Sequence, residues 1–61
     1  MRHIRYAVKT KNGYVRHKGS GHFVETNFDR ADLYLSEAQA KLSAQRHKGV
    51  VVRVVIEEEK E

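Results

Sequence analysis

The chain has no cysteine among its 61 residues, which excludes disulfides and thiolate metal sites. Small domains often rely on such staples. A chain of this length buries only about 60% of its unfolded surface, so the stability margin is thin. Long apolar runs are also missing. Met1-Arg2-His3-Ile4-Arg5 lacks the apolar run that a signal peptide needs, so none is expected. No stretch approaches the roughly 18 apolar residues of a membrane span. No membrane partner is expected, and a reducing compartment, the cytoplasm, is the expected location. Acidic residues are absent from the first twenty-four positions. Arg2, Arg5, Lys9, Lys11, Arg16 and Lys18 carry that segment, with His3, His17 and His22 among them, and Glu25 is the first acid.

What is present suits one folded domain. Hydrophobic residues make up 39% and charged residues 33% of the chain. Net charge is +4. Residues 1–56 hold eleven Lys/Arg against four acids, a charge of +7, and residues 57–61 form an acidic tail. A basic surface of this density collects polyanions or acidic proteins.

Residues 2–10 alternate, with Ile4, Tyr6 and Val8 on one face and His3, Arg5 and Lys9 on the other, the period of a strand. Asn12-Gly13 predicts a type I′ hairpin turn. With those two residues as the loop, Lys11 pairs with Tyr14, Thr10 with Val15, Lys9 with Arg16 and Val8 with His17. Val15 then joins the apolar face. Lys18-Gly19-Ser20-Gly21 reads as a flexible connection. A third extended segment spans His22 to Thr26, with Phe23 as its inward anchor, and a helical turn over Phe28–Asp32 is capped by Thr26 or Asn27.

Ser36-Glu37-Ala38-Gln39 matches a capping box and predicts a helix from about Glu37 to Lys48. Ala38 and Leu42 are its expected buried stripe, Ala40 and Ala44 are small neighbours, and Gly49 is the left-handed closing residue. Val50–Ile56 is the most β-prone run, interrupted only by Arg53, and such a strand is expected inside a sheet or covered on its second face. The fold class is therefore α+β. A small antiparallel sheet is expected from an N-terminal hairpin, a short third strand and the C-terminal strand, with one helix on one face.

The candidate site is the face opposite the core stripe, where Arg5, Lys9, Lys11, Tyr14, Arg16 and Lys18 gather. Lys9 opposite Arg16 costs stability by like-charge repulsion, which a bound anion relieves. A positive sheet face with an aromatic platform suits single strands or splayed bases. Other chemistry has less support. Gly19-Ser20-Gly21 is not a Walker loop. The four histidines lack zincin or finger spacing, so no metal or other cofactor is expected. The serines show no nucleophile elbow, and the protein is not expected to be an enzyme. The acidic tail fits gatekeeper charges flanking a valine strand.

Asn27-Phe28-Asp29-Arg30-Ala31-Asp32-Leu33-Tyr34, then Ser36-Glu37-Ala38-Gln39-Ala40 and the valine-rich strand, resemble small phage- and prophage-encoded proteins with a hairpin–turn–helix–strand plan. The resemblance implies a fold and an accessory or host-interaction role exercised by binding, and it assigns no functional residue. The first reading is a binding module for nucleic acid. The alternatives are a phage-type protein that binds an acidic host protein surface, and a homodimer in which the Val50–Ile56 strand meets its copy.

Overall fold

The computed structural model describes residues 2–19 and 21–59. It consists of β1 (Arg2–Thr10), β2 (Gly13–His17), β3 (Phe23–Thr26), a 3-10 turn (Phe28–Arg30), α1 (Glu37–His47) and β4 (Val50–Glu57). The strands form one antiparallel four-stranded sheet in the order β3-β2-β1-β4, with α1 laid across β1 and β4. The expected α+β plan is the observed one. Ser20, inside the glycine loop, and Lys60 and Glu61, at the end of the acidic tail, lie outside the described residues.

The hairpin register departs from the expected one. Thr10 pairs with Gly13 and Lys9 with Tyr14, so the loop is Lys11-Asn12 rather than Asn12-Gly13. Neither Lys11 nor Asn12 has positive φ, so the turn is not type I′. The Thr10 hydroxyl organises it, its oxygen accepting from the Asn12 amide at 3.3 Å and lying 3.1 Å from the Gly13 carbonyl. Gly13 is used for something else. Its φ is 140°, and a Cβ there would sit 2.7 Å from the Thr26 carbonyl oxygen, so glycine lets β3 close against β2. The slip is two residues, an even number, so every side chain keeps its face.

β1 and β2 pair only near the turn. Farther along β1, Tyr6 exchanges backbone hydrogen bonds with Tyr34 at 2.9 and 2.7 Å, while the Asp32 amide donates to the Val15 carbonyl at 3.1 Å. Residues 32–34 therefore occupy the gap where the two strands splay. The expected pairing of Val8 with His17 is absent because the register has slipped, and Tyr34 holds the position beside Tyr6 that His17 would take in the observed register.

The core lies between the sheet and α1. Val8, Val15, Ala40 and Ala44 are buried, with Tyr6, Tyr34 and Val51 packed around them. Ser36 caps the helix as expected, its Oγ accepting from the Gln39 amide at 3.4 Å. The expected buried stripe is wrong. Ala38 is exposed and Leu42 is 66% exposed. The alanine side is turned inward instead, because short side chains allow a helix to sit close on a two-strand ridge.

The helix also ends differently. Lys48, not Gly49, is left-handed, with φ 56° and ψ 44°. Gly49 is required by space: a Cβ would stand 2.6 Å from the Lys9 carbonyl oxygen and 3.0 Å from Val8 Cγ1. Finally, β4 is an edge strand rather than an interior one, and Val50, Val55 and Ile56 remain exposed.

Candidate functional site

Strand parity decides which residues share the face away from α1, here the open face. Val8, opposite Val51, points to the helix. Arg5, Ala7 and Lys9 on β1, and Val50, Val52 and Val54 opposite them, therefore point away. Lys9 pairs with Tyr14, and Tyr14 and Arg16 pair with Thr26 and Val24 of β3. Arg5, Lys9, Tyr14 and Arg16 thus share the open face, as their alternation predicts.

The expected repulsion between Lys9 and Arg16 does not exist in this register. Lys9 Nζ instead stands 5.8 Å from the centre of the Tyr14 ring, a cation–π arrangement worth up to about 1 kcal/mol at an exposed site. No like-charge strain at this pair is left for a ligand to relieve.

The other cations divide. Arg16 and Lys18 line one groove of about 410 Å³ together with Val24, Glu25, Thr26 and Arg30. Lys11, at the hairpin tip, instead lines a depression with Thr10, Asn12, Glu25, His47 and Lys48. Arg5 is partly committed, donating from Nη1 to the Ile4 carbonyl at 2.8 Å. Glu25 borders the Arg16–Lys18–Arg30 groove, but it lies opposite Val15 and its carboxylate is on the helix side, where it accepts a hydrogen bond from the Thr10 hydroxyl.

Two members of this face were missed from sequence. Phe28 meets Tyr14 edge-on, with ring centres 5.3 Å apart, and remains 44% exposed. Arg30 joins Arg16 and Lys18. Both sit on the 3-10 turn that brings the chain back from β3. The only sequence signal is the helical turn expected over Phe28–Asp32 with Thr26 or Asn27 as its cap, which says nothing about where the turn lands; the turn forms over Phe28–Arg30 and no side chain caps it.

Among the described residues, Glu57 and Glu58 of the acidic tail bond to the start of β1 and not to the groove cations. Arg2 Nε donates to Glu57 at 2.8 Å, and His3 Nε2 lies 3.4 Å from Glu58. The first two acids of the tail therefore meet the first two basic residues of β1.

A second polar cluster lies on the helix side. Asp32 accepts from the backbone amide of His17 and from its Nδ1, both at 2.8 Å. The Tyr34 hydroxyl, 3.5 Å from His17 Nδ1, donates to Ser43 Oγ at 3.0 Å. His17 and His47 rings lie 5.4 Å apart, and Phe23 stacks on His47 at 4.1 Å. Phe23 does face the helix, as expected, at the sheet's rim. Burial lowers the His47 pKa from its ordinary 6.5, nearby His17 and Arg46 lower it further, and Glu25 works against them. Its Nε2 is covered and has no hydrogen-bond partner among the described residues.

This cluster fastens the fold. Asp32 ties β2 to the segment inserted beside β1, and Tyr34 ties that segment to α1. Ser43 is held by Tyr34 rather than by a histidine nitrogen, which is not the geometry of an activated nucleophile. Among the described residues no three His, Asp or Glu side chains converge as metal ligands, and no helix is long and apolar enough to cross a membrane.

No family model, curated protein or solved structure shows a significant match to this chain.

Proposed function

We propose that this chain is a non-enzymatic cytoplasmic binding module that holds single-stranded nucleic acid across the open face of its sheet. The observation that carries the reading is the convergence of Arg16, Lys18 and Arg30 on one groove beside the Tyr14–Phe28 pair. Arginine and lysine side chains lining one groove neutralise phosphates. Two exposed or half-buried rings at the groove's side supply the platform on which unpaired bases or sugars pack. Lys9 extends the positive field along β1, Arg5 adds to it less because it bonds its neighbour's carbonyl, and Lys11 contributes only as general charge at the tip. Such a site reads backbone and ring surface, so binding is tolerant of sequence.

The test is fluorescence anisotropy with labelled single- and double-stranded DNA and RNA of matched length at two salt concentrations. The reading expects single strands to bind more tightly, with affinity falling steeply as salt rises. Absence of binding at low salt overturns it. So does an affinity indifferent to salt, which would instead direct attention to an acidic protein partner.

A further inference from the structure

The free edge of β4 carries an argument of its own, independent of what the open face binds. Because Tyr6 directs its amide and carbonyl toward Tyr34, its partner on the other side, Arg53, directs its own backbone groups away from β1. Antiparallel pairs alternate in this way. Val51, Arg53, Val55 and Glu57 therefore present their N–H and C=O groups along the outer edge of β4, with side chains on the helix side of the sheet.

An exposed valine-rich edge is a template for another strand. The two edges of the β1–β4 ribbon are not treated alike. On the β1 side the Arg5 guanidinium occupies the Ile4 carbonyl at 2.8 Å, which blunts that edge. Among the described residues no side chain does this for β4. The far end of β4 also lies beyond the core under α1, and Val55 is 50% exposed.

We propose that the β4 edge is the interface of a homodimer, two copies pairing antiparallel about a two-fold axis at Val55, with Arg53 of each copy opposite Glu57 of the other. Charge complementarity selects this register. An axis at Arg53 sets the two arginines against each other, and an axis at Val54 places Arg53 opposite Val55 and Glu57 opposite Val51. With the axis at Val55, Val54 faces Ile56 on the open side. On the helix side Arg2, Glu57 and the second copy's Arg53 form an alternating row, since Arg2 already holds Glu57 at 2.8 Å. Two four-stranded sheets become one continuous sheet with both helices on one side. The two β2 strands then lie five strand spacings of about 4.8 Å apart.

The experiment is sedimentation of the intact chain and of the Arg53→Glu and Glu57→Arg variants, alone and mixed in equal amounts. Circular dichroism of each variant checks that these exposed substitutions leave the fold in place. The wild type sediments as a dimer. Each variant alone places like charges opposite each other twice and dissociates at least about tenfold more readily. The mixture recovers the dimer, because the Arg53→Glu chain carries acids at both interface positions and the Glu57→Arg chain carries arginines at both.

The register has a separate readout, since the chain contains no native cysteine. Residues on the axis of a hydrogen-bonded pair have Cα atoms about 5.5 Å apart, within disulfide reach. Val55→Cys therefore cross-links to a dimer under mild oxidation and Val54→Cys does not. A monomeric wild type at high micromolar concentration overturns the proposal. So does a mixture no more associated than its components, or preferential cross-linking through residue 54.

Discussion

The two faces of this sheet are made by the same strands and serve opposite ends. On the helix side, Val8, Val15, Ala40 and Ala44 are sealed from solvent, and apart from His47 Nε2 the polar groups beside them are paired, Asp32 with His17 and Tyr34 with Ser43. On the open side, Arg16, Lys18 and Arg30 line a groove, and Phe28 stays exposed beside Tyr14. A closed polar network stabilises, whereas a cation cluster left to solvent is either neutral to folding or a cost. Substitutions on the helix side are therefore expected to change stability, and those in the groove to change binding alone.

The largest effect expected is at the tightest approach under the helix. Gly49→Ala drives a Cβ to 2.6 Å from the Lys9 carbonyl, forcing β1 and the α1–β4 connection apart. A loss of about 3 kcal/mol is expected by chemical denaturation. A variant as stable as the wild type would mean that the helix does not sit this close. One residue earlier the sign reverses. Lys48 holds a left-handed conformation that favours glycine, so Lys48→Gly should raise stability by about 1 kcal/mol.

A smaller effect follows pH. His47 has a folded pKa below its ordinary 6.5, so the unfolded chain takes up the proton first as pH falls. The contribution is intact above pH 6.5 and is lost progressively below it, toward the lower folded value. Denaturation midpoints measured on either side of that value should show the decline, and His47→Asn should reduce it. An unchanged pH dependence in His47→Asn would place the titration elsewhere.

The contrast between faces was partly legible in the residues. Alternation in Arg2–Thr10 assigned Arg5 and Lys9 to the open face correctly, and Ser36 with Gln39 located the start of α1. The hairpin register was not legible, because Asn12-Gly13 signals a turn whether glycine serves the loop or the approach of β3. Parity protected the faces from that error. Gly49 was recognised as special for its conformation, while its real constraint is the distance to β1, a tertiary quantity. Phe28 and Arg30 were missed for a similar reason. Their place depends on residues 32–34 inserting between β1 and β2, and no local pattern encodes that crossing. Leu42 was assigned inward on hydrophobicity, although the closer packing of alanines decided which side of the helix faced the sheet.

The central claim is that the Arg16–Lys18–Arg30 groove binds phosphates, and the slope of log affinity against log salt tests it most directly. For a single-stranded oligonucleotide, substituting all three by alanine should remove about 2 from that slope while leaving the denaturation midpoint unchanged. A slope identical in wild type and variant, with both chains folded, would contradict the account.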